Sequence, residues 1–194
     1  AREMRNYDTM PGKAVRSAEL ASFDTWIKQY KPDENSVNST VSYYRKGAVI
    51  GFVTDMAIRR ASDNRLSLDD VMRTMYQRYG PQGTVQQGYP PGAFQQLVGE
   101  LAGGEVRMQV ENMLNSTDDP PVDEALAWYG LNLDRALDST TAKQNGKPPP
   151  SGFGVSWETS GTRVWVEHVI RGHSGAEAGL LPRDELIAVN GYRV

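Results

Sequence analysis

The residues best placed to do chemistry lie in one short run, Val41-Ser42-Tyr43-Tyr44-Arg45-Lys46-Gly47-Ala48, where a phenol, a cation and a glycine open a long apolar-periodic segment. A tyrosine hydroxyl so placed can donate to an oxygen on which negative charge develops, such as a peptide carbonyl under attack. The same residues also fit a structural role, with Tyr44 packed in the core and Gly47 allowing close contact between helices. The residues alone leave both readings open.

Other constellations point away from catalysis. The two histidines, His168 and His173, are five apart in a stretch that reads as strand followed by loop. A helical zinc pair needs a spacing of four with a glutamate between, so that both imidazoles share a face beside the general base. Both therefore read as strand-edge or loop histidines. No Gly-x-Ser-x-Gly elbow supports a serine triad, and the absence of cysteine excludes thiolate catalysis, disulfides and cysteine-ligated zinc. The glycines of Gly99 to Gly104 follow a helix and precede no Gly-Lys-Ser/Thr, so they read as terminators. The carboxylates Asp69, Asp70, Asp118, Asp119, Asp123 and Glu124 sit at caps and in a loop, where they complement helix N-termini.

The elements that must position these residues follow from periodicity. Leu20, Phe23, Trp26, Ile27 and Tyr30 form a helical stripe within 14–30, stopped by Lys31-Pro32-Asp33. Asn38 or Ser39 is the expected N-cap of a long second helix with apolar positions Val41, Tyr44, Ala48, Phe52 and Met56. Ser67 with Asp69 and Asp70 opens a third helix through Tyr79, closed by Gly80-Pro81. Helices around Phe94–Leu101, Val106–Leu114 and Pro121–Tyr129 follow, with Gly103-Gly104 and Gly130 as stops. Residues 138–150 are polar and end in three prolines, as expected of an extended linker. After it, Val155, Trp157, Val164, Val166, Val169 and Leu186–Val189 read as strands, with Asn190-Gly191 as a hairpin turn. The expected organisation is helical over 1–137, linker over 138–150 and a partial β module over 151–194.

A net charge of -3 leaves no basic excess to neutralise a phosphate backbone, so nucleic acid is not an expected partner. The longest apolar run, Ala48 to Val53, falls far short of the roughly 18 residues of a membrane span and is interrupted by Gly51. The first residues show neither an initiator methionine nor a secretory-signal core, so the expectation is an N-terminus internal to a longer chain.

The segments 22–28, 30–36 and 38–48, continued by Ser67-Leu68-Asp69-Asp70-Val71-Met72, resemble the glycyl aminopeptidase family, zinc metallopeptidases with a thermolysin-like catalytic domain followed by a PDZ domain. Gly152-Phe153-Gly154-Val155 is similar to the carboxylate-binding loop and first groove strand of a PDZ domain. Gly172–Leu180 and Asp184–Gly191 are similar to its middle. The resemblance implies a fold that is mainly α, the helical C-terminal subdomain of such a peptidase, followed by a partial β-rich PDZ-like module. It implies that the zinc ligands and their His-Glu-x-x-His helix belong to a parent enzyme and lie before residue 1, with no metal ligand inside this chain. Tyr44-Arg45-Lys46-Gly47 matches a Tyr-x-Lys-Gly motif of related zinc aminopeptidases, whose tyrosine stabilises the tetrahedral intermediate; Tyr43 is the lesser candidate. The substrates implied are peptides with a small N-terminal residue such as glycine or alanine, in a periplasmic or secreted setting. This stretch by itself is expected to be inactive and, because the second wall of a PDZ groove would follow Val194, to bind C-terminal peptides weakly or not at all. A scaffold without catalysis, or a homodimer paired through the exposed β edge, is the alternative.

Overall fold

The computed structural model describes residues 2–83, 88–133 and 152–194. A helical block is followed by a small antiparallel β module. The block contains α1 (Arg2–Asp8), a 3-10 turn (Pro11–Ala14), α2 (Ala18–Phe23), α3 (Thr25–Lys28), α4 (Ser36–Ser39) and α5 (Tyr43–Ala61). Then come α6 (Leu68–Tyr79), α7 (Ala93–Ala102), α8 (Gly104–Asn115) and α9 (Val122–Trp128).

Helix α5 is the axis of the block: α1, α2, α6, α7, α8 and α9 all pack on it. Its buried positions Val49, Ile50, Val53, Met56 and Ala57 recur at the spacings that put residues on one helical stripe. Asp55 ties two elements to that axis. Its carboxylate accepts from the Leu68 backbone N–H at the start of α6 (2.8 Å) and from the Tyr129 hydroxyl after α9 (2.9 Å), and it pairs with Arg59 one turn on (2.8 Å). Burial alone would raise the Asp55 pKa; these donors outweigh it and hold the carboxyl below its ordinary value.

The boundaries of α6 to α9 agree with the sequence pattern because caps fix them. At the start of α6 the Asp70 carboxylate accepts from both the Ser67 backbone N–H and its hydroxyl, each at 2.8 Å. Gly103 and Gly130 adopt φ +98 and +72, which only glycine reaches without strain. Two other expectations are overturned. The helix expected over 14–30 breaks at Asp24, whose carboxylate pairs with Arg16. Its stripe is not core either: Leu20, Phe23, Trp26, Ile27 and Tyr30 are exposed, whereas Ala18 and Ala21 are buried. Small residues let α2 approach α5 and α8 closely, which leaves the large side chains on the far side. Neither Asn38 nor Ser39 caps α5. Ser42 does, its hydroxyl accepting from the Arg45 N–H at 3.5 Å, and α4 occupies Ser36–Ser39. Helix α1 and the 3-10 turn had no signal strong enough to be expected.

In the β module, β1 (Val155–Ser160), β2 (Arg163–Val169) and β3 (Glu185–Leu186) form an antiparallel sheet in that order, with β1 at an edge. The short α10 (Ser174–Glu177) covers Val155, Val166 and Val169, with Ala176 and Leu180 packed against them. The strand expected over Leu186–Val189 divides at Ile187, so that β4 (Ala188–Val189) pairs instead with β5 (Tyr192–Arg193). Asn190 and Gly191 have φ 51 and 83, the two left-handed positions such a hairpin turn requires. The linker expected over 138–150 lies outside the described residues.

The module is docked on the loop before α5. Asn38 is buried, and its amide donates to the Val169 carbonyl (2.7 Å) while its oxygen accepts from the Arg171 N–H (2.8 Å). Beside it, His168 Nδ1 lies 3.1 Å from the Glu34 carbonyl, and Arg183 pairs with the Glu34 carboxylate at 3.0 Å. Asn38→Ala would leave the buried Val169 carbonyl and the partly buried Arg171 N–H without their partner, a penalty of about 1–3 kcal/mol. Native-state hydrogen exchange on N38A is expected to show the Arg171 amide losing its protection, with α5 amides unaffected. Retained protection at Arg171 would mean that the module is held elsewhere.

Candidate active site

The first turn of α5 presents Tyr43 and Tyr44 on different faces. Tyr43 is half-buried, whereas Tyr44 is 62% exposed, so the core role open to it in the sequence is excluded. The two rings lie 4.1 Å apart at 31°. Tyr30, just after α3, has its ring 5.1 Å from Trp26. The hydroxyl of Tyr43 first, then that of Tyr30, favours the ionised form of Tyr44 and holds its pKa below the ordinary phenol value; the same contacts with Tyr44 push Tyr43 upward. Tyr44 itself faces solvent.

Lys46, two residues on, points the other way and is fully buried. Its ammonium donates to the Arg16 carbonyl ahead of α2 (3.3 Å) and to the Ser116 carbonyl after α8 (3.1 Å). Burial lowers its pKa, and the nearby charges of Asp119 and Asp118 partly restore it. Asp119 in turn accepts from the Tyr7 hydroxyl (2.9 Å) and from Lys13 (2.7 Å). Burial would raise the Asp119 pKa, but Lys13 and Tyr7 carry it below its ordinary value. Gly47 serves no helix contact: a Cβ there would meet nothing within 4 Å. Its place three residues after Tyr44 puts it on the same face of α5, beside open space.

The sequence singled out Tyr44 but missed Tyr30, which reads as one more member of an apolar stripe. It also missed that Lys46 is buried, for which a lysine in a first helical turn gives no signal. The other candidate residues, Gly152–Val155, lie apart from Tyr44, in the β module. Gly154, at φ +68, passes so close to His173 that a Cβ would fall 2.2 Å from the His173 Cβ. The Phe153 carbonyl accepts from the Gly175 N–H (2.9 Å) and the Gly154 carbonyl from the Ile170 N–H (2.7 Å). His168 is a docking residue, and His173 stands at the N-terminus of α10. Among the described residues no group of three or more histidine, aspartate or glutamate side chains could hold a metal ion. Also among them, no helix is long and apolar enough to cross a membrane.

Residues 1–50, which include the tyrosine pair and Gly47, match the model of the M61 glycyl aminopeptidase family. The chain resembles the glycyl aminopeptidases. A crystal structure of an aminopeptidase N family protein from Idiomarina loihiensis is similar over 98% of this chain, with a TM-score of 0.78 and 25% identity. The chain covers 33% of that protein's length. No curated protein matches. Lys46, two residues after Tyr44, hydrogen-bonds the chain before α2 and after α8. Replacing Lys46 by Met removes both of its hydrogen bonds and leaves the Arg16 and Ser116 carbonyls buried, at a cost of about 1–3 kcal/mol. A lower thermal midpoint for K46M by calorimetry is the expected result; unchanged stability would show that the ammonium does not hold the elements together.

Proposed function

We propose that this chain is part of a zinc-dependent aminopeptidase acting on peptides with a small N-terminal residue, glycine or alanine, and that Tyr44 is its catalytic tyrosine. The observation that carries the reading is the solvent-facing phenol of Tyr44 at the head of α5, inside the segment that matches the peptidase family. As the scissile carbonyl is attacked, its oxygen gains charge, and the Tyr44 hydroxyl donates a hydrogen bond to it. A phenol more acidic than usual is the stronger donor for that purpose. Among the described residues no group of histidine, aspartate or glutamate side chains could hold that zinc ion. The exposed apolar stripe of Phe23 (86%), Trp26 (76%) and Ile27 is consistent with a block that packs within a larger protein.

A second reading is favoured by the position of β1 at the edge of its sheet, where a peptide can add as a further strand beside Gly152–Val155. A second copy of the module pairing through that edge would be its structural variant.

In the complete enzyme that carries this chain, Tyr44→Phe is expected to lower kcat/KM on a glycine anilide by about 10²–10³-fold, the scale set by loss of one oxyanion donor. The wild-type rate should fall as pH rises through the Tyr44 pKa, because the phenolate cannot donate, and that fall should begin below the ordinary phenol value of 10.0. A Y44F enzyme with undiminished activity would refute the assignment. Gly47→Ala separates stability from access. In the middle of a helix and free of clashes, the methyl should stabilise the fold by about 1 kcal/mol or less. It should also raise KM, by filling space beside Tyr44 that the substrate needs; an unchanged KM would show that the substrate does not use that space.

A further inference from the structure

Two peptide groups flank Ile170, just after β2, and each is hydrogen-bonded at both its carbonyl and its N–H. The Val169–Ile170 peptide accepts at its carbonyl from the Asn38 amide (2.7 Å) and donates through its N–H to the Gly154 carbonyl (2.7 Å). The Ile170–Arg171 peptide accepts at its carbonyl from the His173 N–H (3.3 Å) and donates through its N–H to Asn38 Oδ1 (2.8 Å). From donor to acceptor these bonds run one way: from His173 into the second peptide, through the Asn38 side chain, into the first peptide and out to Gly154. The two ends also touch, since a Cβ on Gly154 would fall 2.2 Å from that of His173. Asn38 is buried, and its amide also donates to Asn35 Oδ1 (3.0 Å), which sets the side chain's orientation from within the helical block.

We propose that Asn38 couples the docking of the β module to the shape of the Gly152–Val155 loop. Its side chain is the middle link of a chain of aligned amides, so releasing Asn38 loosens the loop, and displacing the loop loosens the docking. Aligned hydrogen bonds polarise one another, so the loss of one weakens the next. A coupling of this kind is reciprocal. A second clasp carries the loop's position to α10: the Phe153 carbonyl accepts from the Gly175 N–H (2.9 Å), and a Cβ on Gly175 would fall 2.4 Å from Val155 Cγ2. Approaches this close leave the loop no room to shift independently of the end of β2 and the start of α10. Edge strand β1 begins at this loop, so the helical block sets the entrance to that edge. The coupling depends neither on peptidase chemistry nor on a peptide adding along β1, and it is tested in this chain alone.

The experiment is amide hydrogen exchange, residue by residue, on the nitrogen-15-labelled chain and three variants. In Asn38→Ala the decisive amides are Ile170 and His173, neither of which bonds to Asn38 itself; both are expected to exchange about tenfold faster or more. Val166, whose N–H donates to the Asp184 carbonyl (2.8 Å) in the same module, should keep its wild-type rate. Glu34→Gln removes the pairing with Arg183 but leaves the amide chain intact, and should change neither decisive amide. Gly154→Ala perturbs the far end, and should speed exchange at Arg171 about tenfold although Gly154 does not touch Asn38. If N38A speeds Arg171 alone, Asn38 docks the module without setting the loop, and the coupling is overturned. It is also overturned if Val166 speeds up by the same factor as Ile170, because the module then opens as a whole, or if E34Q acts as strongly as N38A. An unchanged Arg171 rate in G154A would show that loop and docking are independent.

Discussion

A lysine ammonium with no solvent contact sits at the point where the start of α2, the head of α5 and the end of α8 converge. Burying a cation is unfavourable unless acceptors surround it, and here two backbone carbonyls face Lys46 with the charge of Asp119 nearby. Those carbonyls follow from how the neighbouring helices begin and end. Arg16 lies just before the Ser17 cap of α2, and Ser116 closes α8. The ammonium therefore binds two chain ends to the first turn of α5, and with it the direction in which that turn presents Tyr44. Because Lys46 and Tyr44 are two apart on a helix, they face away from each other, so fixing one inward commits the other to solvent.

The β module bears on the chain just before that helix. It contacts the helical block through residues 34–38, the loop that lies between Tyr30 and Tyr44 in the chain. Asn38 there acts as a piece of backbone. Its amide satisfies one carbonyl and one N–H at the end of β2, which pairs the module with the block as a strand would. Anything that strains β2 or the turn after it is felt first by this loop. The mechanical path from the module to the tyrosine cluster is short and continuous in covalent structure.

Much of this could be read from the sequence where local chemistry decides. The capping residues of α6, the glycine stops of α7 and α9 and the Asn190-Gly191 hairpin are set by positions adjacent in the chain. The motif around Tyr44 was legible for the same reason. What was not legible depended on partners distant in sequence. Asn38 looks like an N-cap until β2 is placed beside it, and Lys46 looks like a surface cation until Arg16 and Ser116 close over it. Periodicity also locates an apolar face without saying which way it turns: the Leu20 to Tyr30 stripe is real, but the alanines on the other face are what α5 accepts.

The largest mismatch between pattern and burial falls beside the candidate site. Phe23, Trp26, Ile27 and Tyr30 would each be stabilised by burial, at roughly 1.5–3 kcal/mol for a large apolar side chain, yet the fold leaves them outside. Large apolar side chains are also exposed elsewhere in the block, among them Met72 and Tyr76 on α6. Four large side chains left outside together form the kind of apolar patch that suits a surface packed against another part of a larger protein. Tyr30 belongs to that stripe by its ring, 5.1 Å from Trp26, and stands at the start of the loop that leads to the head of α5, so the uncovered surface borders the chain that carries Tyr44.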